Sequence, residues 1–213
     1  MGSAPRVYEN EGIYHVFNRG VEKRVVFTEQ RDYQRFLDIL LYYQQAPGYT
    51  QSFAHVIDFE PTNRVRPFRA ELLAYTFMPN HFHLLLRQTM DGGISSLMSK
   101  TLNSYTKYFN TKYQRVGHLF QGKFQIVPVT KDEQLMHVLR YILLNPYVAG
   151  LTTDPLSYPY SSLRELLGEK DTSWCDTQFI ANFFPGPSDL KRFVLDYAEE
   201  ARVRELITKH RVD

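Results

Sequence analysis

Residues 71–88 read ELLAYTFMPNHFHLLLRQ. They form two apolar runs of strand length on either side of a Met-Pro-Asn-His junction. Pro79 fixes its own φ and carries no amide N–H, so it belongs at a turn and not inside a sheet. The pattern predicts a β-hairpin with strands over 71–77 and 82–88. Toward the N-terminus, IYHVFNR at 13–19 alternates apolar and polar residues and predicts a strand ending at Gly20. Residues 32–45 carry Phe36, Leu37, Ile39, Leu40 and Tyr43 as a helical stripe, stopped by Pro47-Gly48. A weaker strand candidate covers 53–58, followed by a polar connection bounded by prolines. Toward the C-terminus, Gly92-Gly93 precedes an amphipathic helix over 94–113, with Ile94, Leu97, Met98, Leu102, Tyr105 and Phe109 on one side. Alternation returns over 124–129. A helix over 131–144 follows, its apolar face Leu135, Val138, Leu139 and Ile142, with Pro146 expected to end it. A turn and short helix fill 157–167, and a last helix is expected over 189–209.

The order strand, helix, hairpin, helix, strand predicts an α+β fold. Its core is a ferredoxin-like β-α-β-β-α-β unit, an antiparallel sheet with helices on one face. At ~150 residues per domain, 213 residues make one domain with an appendage. We place a main domain at 10–150 and a helical C-terminal extension packing on it at 151–213. Hydrophobic residues are 43% and charged residues 23%, which excludes a disordered chain. Cys175 stands alone, which excludes disulfide scaffolds and Cys-rich zinc modules. No run approaches the roughly eighteen apolar residues of a membrane span, and residues 1–12 lack the apolar segment of a secretory signal. The expectation is a soluble cytoplasmic protein without a membrane partner.

The net charge of +2 says little, but its distribution says more. Between Asp91 and Asp132 there is no acidic residue, while Lys100, Lys107, Lys112, Arg115, Lys123 and Lys131 all fall there. Such a stretch is either a solvated helix face or a surface that follows a phosphate backbone. Tyr105, Tyr108, Phe109, Tyr113, Phe120 and Phe124 interleave with the charges, as base-stacking platforms or as core.

Four residues carry the candidate chemistry. On a strand, His81 and His83 point to the same side, roughly 6–7 Å apart, with Phe82 on the other. Two imidazoles at that separation can share a divalent cation, though a lone His-x-His is also found as two unrelated histidines. Tyr141 and Asn145 lie one helical turn apart and share a face. That face offers a phenol and an amide oxygen, if the helix crosses the sheet near the hairpin. His137, one turn before Tyr141, either tunes the phenol or packs, and packing is the expectation. Arg140 is turned about 100° from Tyr141. Arg19, at a strand end, meets either a phosphate or solvent, and His118 either contacts DNA or braces a turn. His15 sits in the same strand, within YHVFNRG.

Four blocks occur in order: MPNHFHLLLR at 78–87, RVGHLFQGKF at 115–124, YILLNPYVAG at 141–150 and YPYSSL at 158–163. In order and spacing they resemble the HUH-class tyrosine transposases, in particular the REP-associated tyrosine transposases and their IS200-like relatives. The resemblance covers about residues 10–167. It implies that the His-hydrophobic-His pair is His81, Phe82 and His83, that the nucleophile is Tyr141, and that the third metal ligand is Asn145. It implies a divalent metal ion, Mg²⁺ or Mn²⁺, and two imidazoles with an amide favour the softer Mn²⁺. The implied partner is single-stranded DNA with hairpin structure, contacted by Arg19, Lys100, Lys107, Lys112, Arg115, His118 and Lys123. A homodimer and a nucleoid-associated location are further implications. The implied reaction is cleavage and rejoining through a 5′-phosphotyrosine. The alternatives are a catalytically silent hairpin-binding protein derived from a transposase, and a metal-dependent hydrolase in which Tyr141 is incidental. Residues 48–68 are longer than the family's usual link, and the tail after about 170 has no counterpart.

Overall fold

The hairpin forms as its two apolar runs and Pro79 predict. In the computed structural model, which describes residues 8–45, 67–170, 172 and 174–210 with side chains to 204, β2 (Ala70–Met78) and β3 (His81–Gln88) are joined by Pro79 and Asn80 alone. β1 (Ile13–Arg19) pairs antiparallel with β3, and β4 (Gln125–Val129) pairs antiparallel with β1. The sheet order is β2-β3-β1-β4. α1 (Gln30–Gln44) connects β1 to the hairpin, and α2 (Gly93–Lys112) connects the hairpin to β4. This is the expected core. The strand expected at 53–58 lies outside the described residues.

Side-chain alternation assigns the two faces. Phe82 and Phe77 meet Phe36 of α1 at ring separations of 5.1 and 5.2 Å, and Phe36 meets Tyr105 of α2 at 5.1 Å. These rings, all buried, place α1 and α2 together on one face. His83 points to the other face, which is covered by α3 (Asp132–Val148) through Leu135, Leu139, Ile142 and Leu143. α3 continues beyond Pro146, where the sequence predicts a stop. A carbonyl left without its helical amide has found a donor elsewhere, as described below.

The ends of α1 and α2 are joined by a buried ion pair. Asp32, in the first turn of α1, accepts from the amides of Thr28 and Glu29, from the hydroxyls of Tyr108 and Tyr113, and from Lys112 Nζ at 2.5 Å. Burial by itself raises the Asp32 pKa, but Lys112, Tyr113 and the other donors outweigh it and hold the carboxyl below its ordinary value. Lys112 also bonds Glu29 at 2.6 Å. Its ammonium is therefore held by carboxylates.

Residues beyond 150 close the exposed edge of β2. Phe77 N donates to Tyr160 O at 2.9 Å, Ser162 N to Tyr75 O at 3.0 Å and Asp176 N to Leu72 O at 2.8 Å. A sheet edge covered in this way offers no free amides for pairing with another chain, and all nine residues of β2 are buried. The turn and short helix expected over 157–167 take the form of a 3-10 turn at Pro155–Ser157 and the single turn α4 (Leu163–Leu166), with the edge-pairing residues between them. α5 (Thr177–Ala181) follows. The last predicted helix divides into α6 (Pro187–Leu195) and α7 (Ala198–His210). The break lets Phe193 and Tyr197 stack on the Arg140 guanidinium of α3 at 3.8 and 4.9 Å, while Glu199 reaches the Tyr147 hydroxyl. Arg140 is thus turned into the extension and away from Tyr141. Among the described residues no helix is long and apolar enough to cross a membrane.

Candidate active site

The four sequence-nominated groups meet at one end of the sheet, on the α3 face. The β3 alternation sends His81 and His83 the same way, with rings 5.0 Å apart at 87°. The Tyr141 ring stands edge-on to His83 at 5.2 Å. Asn145, one turn along α3, stands beside His81 and favours its protonated ring. A cleft of about 560 Å³ opens here, lined by Phe17, Asn18, Arg19, Asn80, His81, His83, Gln121, Gln125 and Tyr141. Tyr141 is 52% exposed, so its hydroxyl is accessible from that cleft.

His15 belongs to the same cluster. β1 pairs with β3 so that Phe17 faces His83, which brings His15 diagonally onto the same imidazole. His15 Nε2 and His83 Nδ1 are 2.9 Å apart, and the His15 ring lies 5.9 Å from that of Tyr141. Nothing local in YHVFNRG discloses this, because the contact depends on a strand register set 68 residues away. Phe17, Gln121 and Gln125 were likewise not singled out by sequence. Phe17 carried one available signal, its position two residues after His15 in a predicted strand.

All three histidines are held neutral. Burial draws His15 down to about 4. Burial also takes His83 well below the ordinary imidazole value, with His81 and His15 adding to the effect. For His81, burial lowers the pKa, Asn145 beside it works against this, and Arg19 lowers it further. Neutral imidazoles keep the lone pairs a metal needs. His83 Nε2 is buried without a hydrogen-bond partner, and His81 Nδ1 is satisfied by Asn80 Oδ1 at 2.6 Å. A bare buried nitrogen beside a second imidazole and an amide suits a borderline divalent cation. Among the described residues no group of three or more His, Cys, Asp or Glu is gathered for a metal. The groups at hand that could donate to a cation are two imidazoles and the Asn145 amide.

The basic residues are not gathered in the same way. Arg19 lines the cleft and contacts Gln121 at 3.4 Å. Lys123 is exposed close by in sequence, on the approach to β4. Lys100, Lys107 and Lys112 ride on α2, across the sheet from the histidines. Lys100 lies 5.6 Å over the Tyr43 ring, while Lys107 is exposed. Arg115 braces Asn110 at 3.1 Å, and His118 is exposed in the loop after α2. His137, expected to pack, is exposed on α3.

The family profile "Transposase IS200 like" matches residues 62–145, the span from the hairpin to Asn145. A solved REP-associated tyrosine transposase bound to a REP hairpin has the same fold. Its TM-score is 0.54 at 15% identity, with 83% of this chain and 98% of that chain covered. A putative transposase from Deinococcus radiodurans aligns at a TM-score of 0.39 and 17% identity, over 67% of this chain and 95% of that one. A tRNA(His) guanylyltransferase from Saccharomyces cerevisiae aligns at 0.42 and 7% identity, over 97% and 81%. No curated protein sequence matches the chain.

Proposed function

We propose that this chain is an IS200-like transposase, the family whose profile matches residues 62–145, and that it cleaves and rejoins single-stranded DNA beside a hairpin, with Tyr141 as nucleophile. The observation that carries this reading is the convergence of a solvent-accessible phenol and two neutral imidazoles on one cleft, with the Asn145 carboxamide beside His81. The solved relative of the same fold binds a REP hairpin, which makes hairpin DNA the first substrate to test.

His81, His83 and Asn145 would hold a divalent cation. When bound, Mn²⁺ or Mg²⁺ supplies charge neutralisation on a non-bridging phosphate oxygen, which makes phosphorus more electrophilic. The chain's own residues do the remainder. Arg19, at the cleft wall, pairs with an adjacent phosphate and sets the strand's register. Tyr141 Oη attacks phosphorus in line, the phosphorus–O3′ bond breaks, and the phenolic proton ends on the leaving 3′ oxygen. The product is a 5′-phosphotyrosine and a free 3′-hydroxyl. One phosphoester replaces another, so a 3′-hydroxyl can reverse the step on a second strand without a nucleotide cofactor.

Labelled single-stranded DNA carrying a hairpin, incubated with the protein and Mn²⁺, is expected to yield a denaturation-resistant protein–DNA adduct that excess chelator prevents. Hairpin binding with no adduct would mark a silent binder. Metal-dependent cutting that leaves no DNA on the protein would mark a hydrolase.

His15 has a defined part in this scheme. A lone pair at His83 Nε2 requires the ring proton at Nδ1, and Nδ1–H then donates to His15 Nε2. His15→Phe keeps an aromatic ring and removes that acceptor. Mn²⁺ affinity, measured by electron paramagnetic resonance of the free ion, is expected to fall about 10–100-fold. Unchanged affinity would show that His83 needs no help from His15.

A further inference from the structure

The carbonyl of Ile142 lacks its usual helical donor. Helical geometry assigns it the amide four residues on. In α3 that residue is Pro146, which lacks an N–H and whose ring crowds the same carbonyl. Ile142 is fully buried, so solvent does not take the role. Thr76 does: its Oγ1 donates to Ile142 O at 2.8 Å.

The location of that donor matters. Thr76, itself fully buried, is the cross-strand partner of His83, so its side chain shares the face on which the imidazole stands. Ile142 follows Tyr141 directly. A single hydrogen bond across 66 residues therefore ties the backbone beside the phenol to the strand position beside the histidine. Tyr141 needs such an anchor, because its half-exposed ring is not fixed by its own burial. We infer that Thr76 is a positioning residue for strand transfer, a latch that uses the carbonyl Pro146 leaves free to set the distance from Tyr141 to His83. The inference rests on the function proposed above.

Thr76→Val keeps shape and β-branching but loses the donor. With saturating hairpin DNA and Mn²⁺, adduct formation is expected to slow about 10²-fold, the usual cost of a misplacement near 1 Å. Hairpin affinity, which requires a folded chain, should stay at the wild-type value. Thr76→Ser restores the donor and most of the rate. Pro146→Ala placed in the Thr76→Val background gives Ile142 O a helical amide again and should recover the rate in part.

A second readout does not depend on turnover. Ring-proton NOEs between Tyr141 and His83, whose centroids are 5.2 Å apart, should weaken in Thr76→Val and return in the Ser and double variants. Thr76→Val with wild-type rate or wild-type NOEs overturns the latch, as does a double variant no better than Thr76→Val. A wild-type protein that forms no adduct overturns the proposed function instead, and the NOE series then decides on the latch alone.

Discussion

Tyr141→Phe is expected to bind hairpin DNA as the wild type does and to form no covalent adduct, a loss of at least about 10³-fold. The substitution removes one oxygen. The ring keeps its edge-on contact with His83 and His15, and a residue 52% exposed contributes little to the core. Stability should therefore stay within about 0.5 kcal/mol of wild type, as for surface substitutions in general. Reversal should fail with cleavage, since both directions pass through the same ester. An adduct that persists in the variant would move the nucleophile to another residue, and the convergence at the cleft would then need a different explanation. A free phenol with a pKa of about 10 is only ~0.1% ionised at neutral pH, equivalent to about 4 kcal/mol. The site must offset that cost in the transition state. In the proposed scheme, Arg19 and a cation held by the two imidazoles would supply the positive charge.

The largest effect on stability is expected from Asp32→Ala. The change leaves the Thr28 and Glu29 amides, two tyrosine hydroxyls and the Lys112 ammonium without their common acceptor. The Asp32 side chain is wholly buried and that of Lys112 is 23% exposed. Breaking one half of a buried pair costs about 3–5 kcal/mol, or roughly 6–20 °C in Tm for a chain of this size. The pH dependence follows from the direction of the shift. The folded-state pKa of Asp32 lies below its unfolded value, so its contribution is complete above about pH 4 and is lost as the pH falls through the folded value. Thermal melts of the two proteins should thus differ widely at pH 7 and draw together as the pH falls below about 4. A variant within 1 kcal/mol of wild type at pH 7 would show that the remaining contacts between α1 and α2 suffice.

Much of the fold could be read from local pattern. Two apolar runs about Pro79 gave the hairpin its two strands, and strand geometry put both histidines on one side, because successive strand side chains must alternate faces. The 3.6-residue period put Tyr141 and Asn145 on one face of α3, and the apolar stripe of α2 faces the core as written, apart from a half-buried Leu102. Charge was a poorer guide. A lysine in a basic stretch reads the same whether it faces solvent or a buried carboxylate 80 residues away, and Lys112 is the second kind. Proline was misleading for a related reason. Pro146 does remove a helical hydrogen bond, but whether that ends the helix depends on a substitute donor, and Thr76 supplies it.

The amino-acid order alone thus determined most of the elements, their faces and the identity of the four candidate groups, since each follows from spacing within a few residues and from backbone sterics. Only the tertiary structure decided that these groups meet, that His15 joins them, and that the α2 lysines lie across the sheet from the cleft. Those outcomes depend on strand register and on how α3 seats against β2, and the free energy that selects them comes from contacts between segments roughly seventy residues apart, which no local window contains.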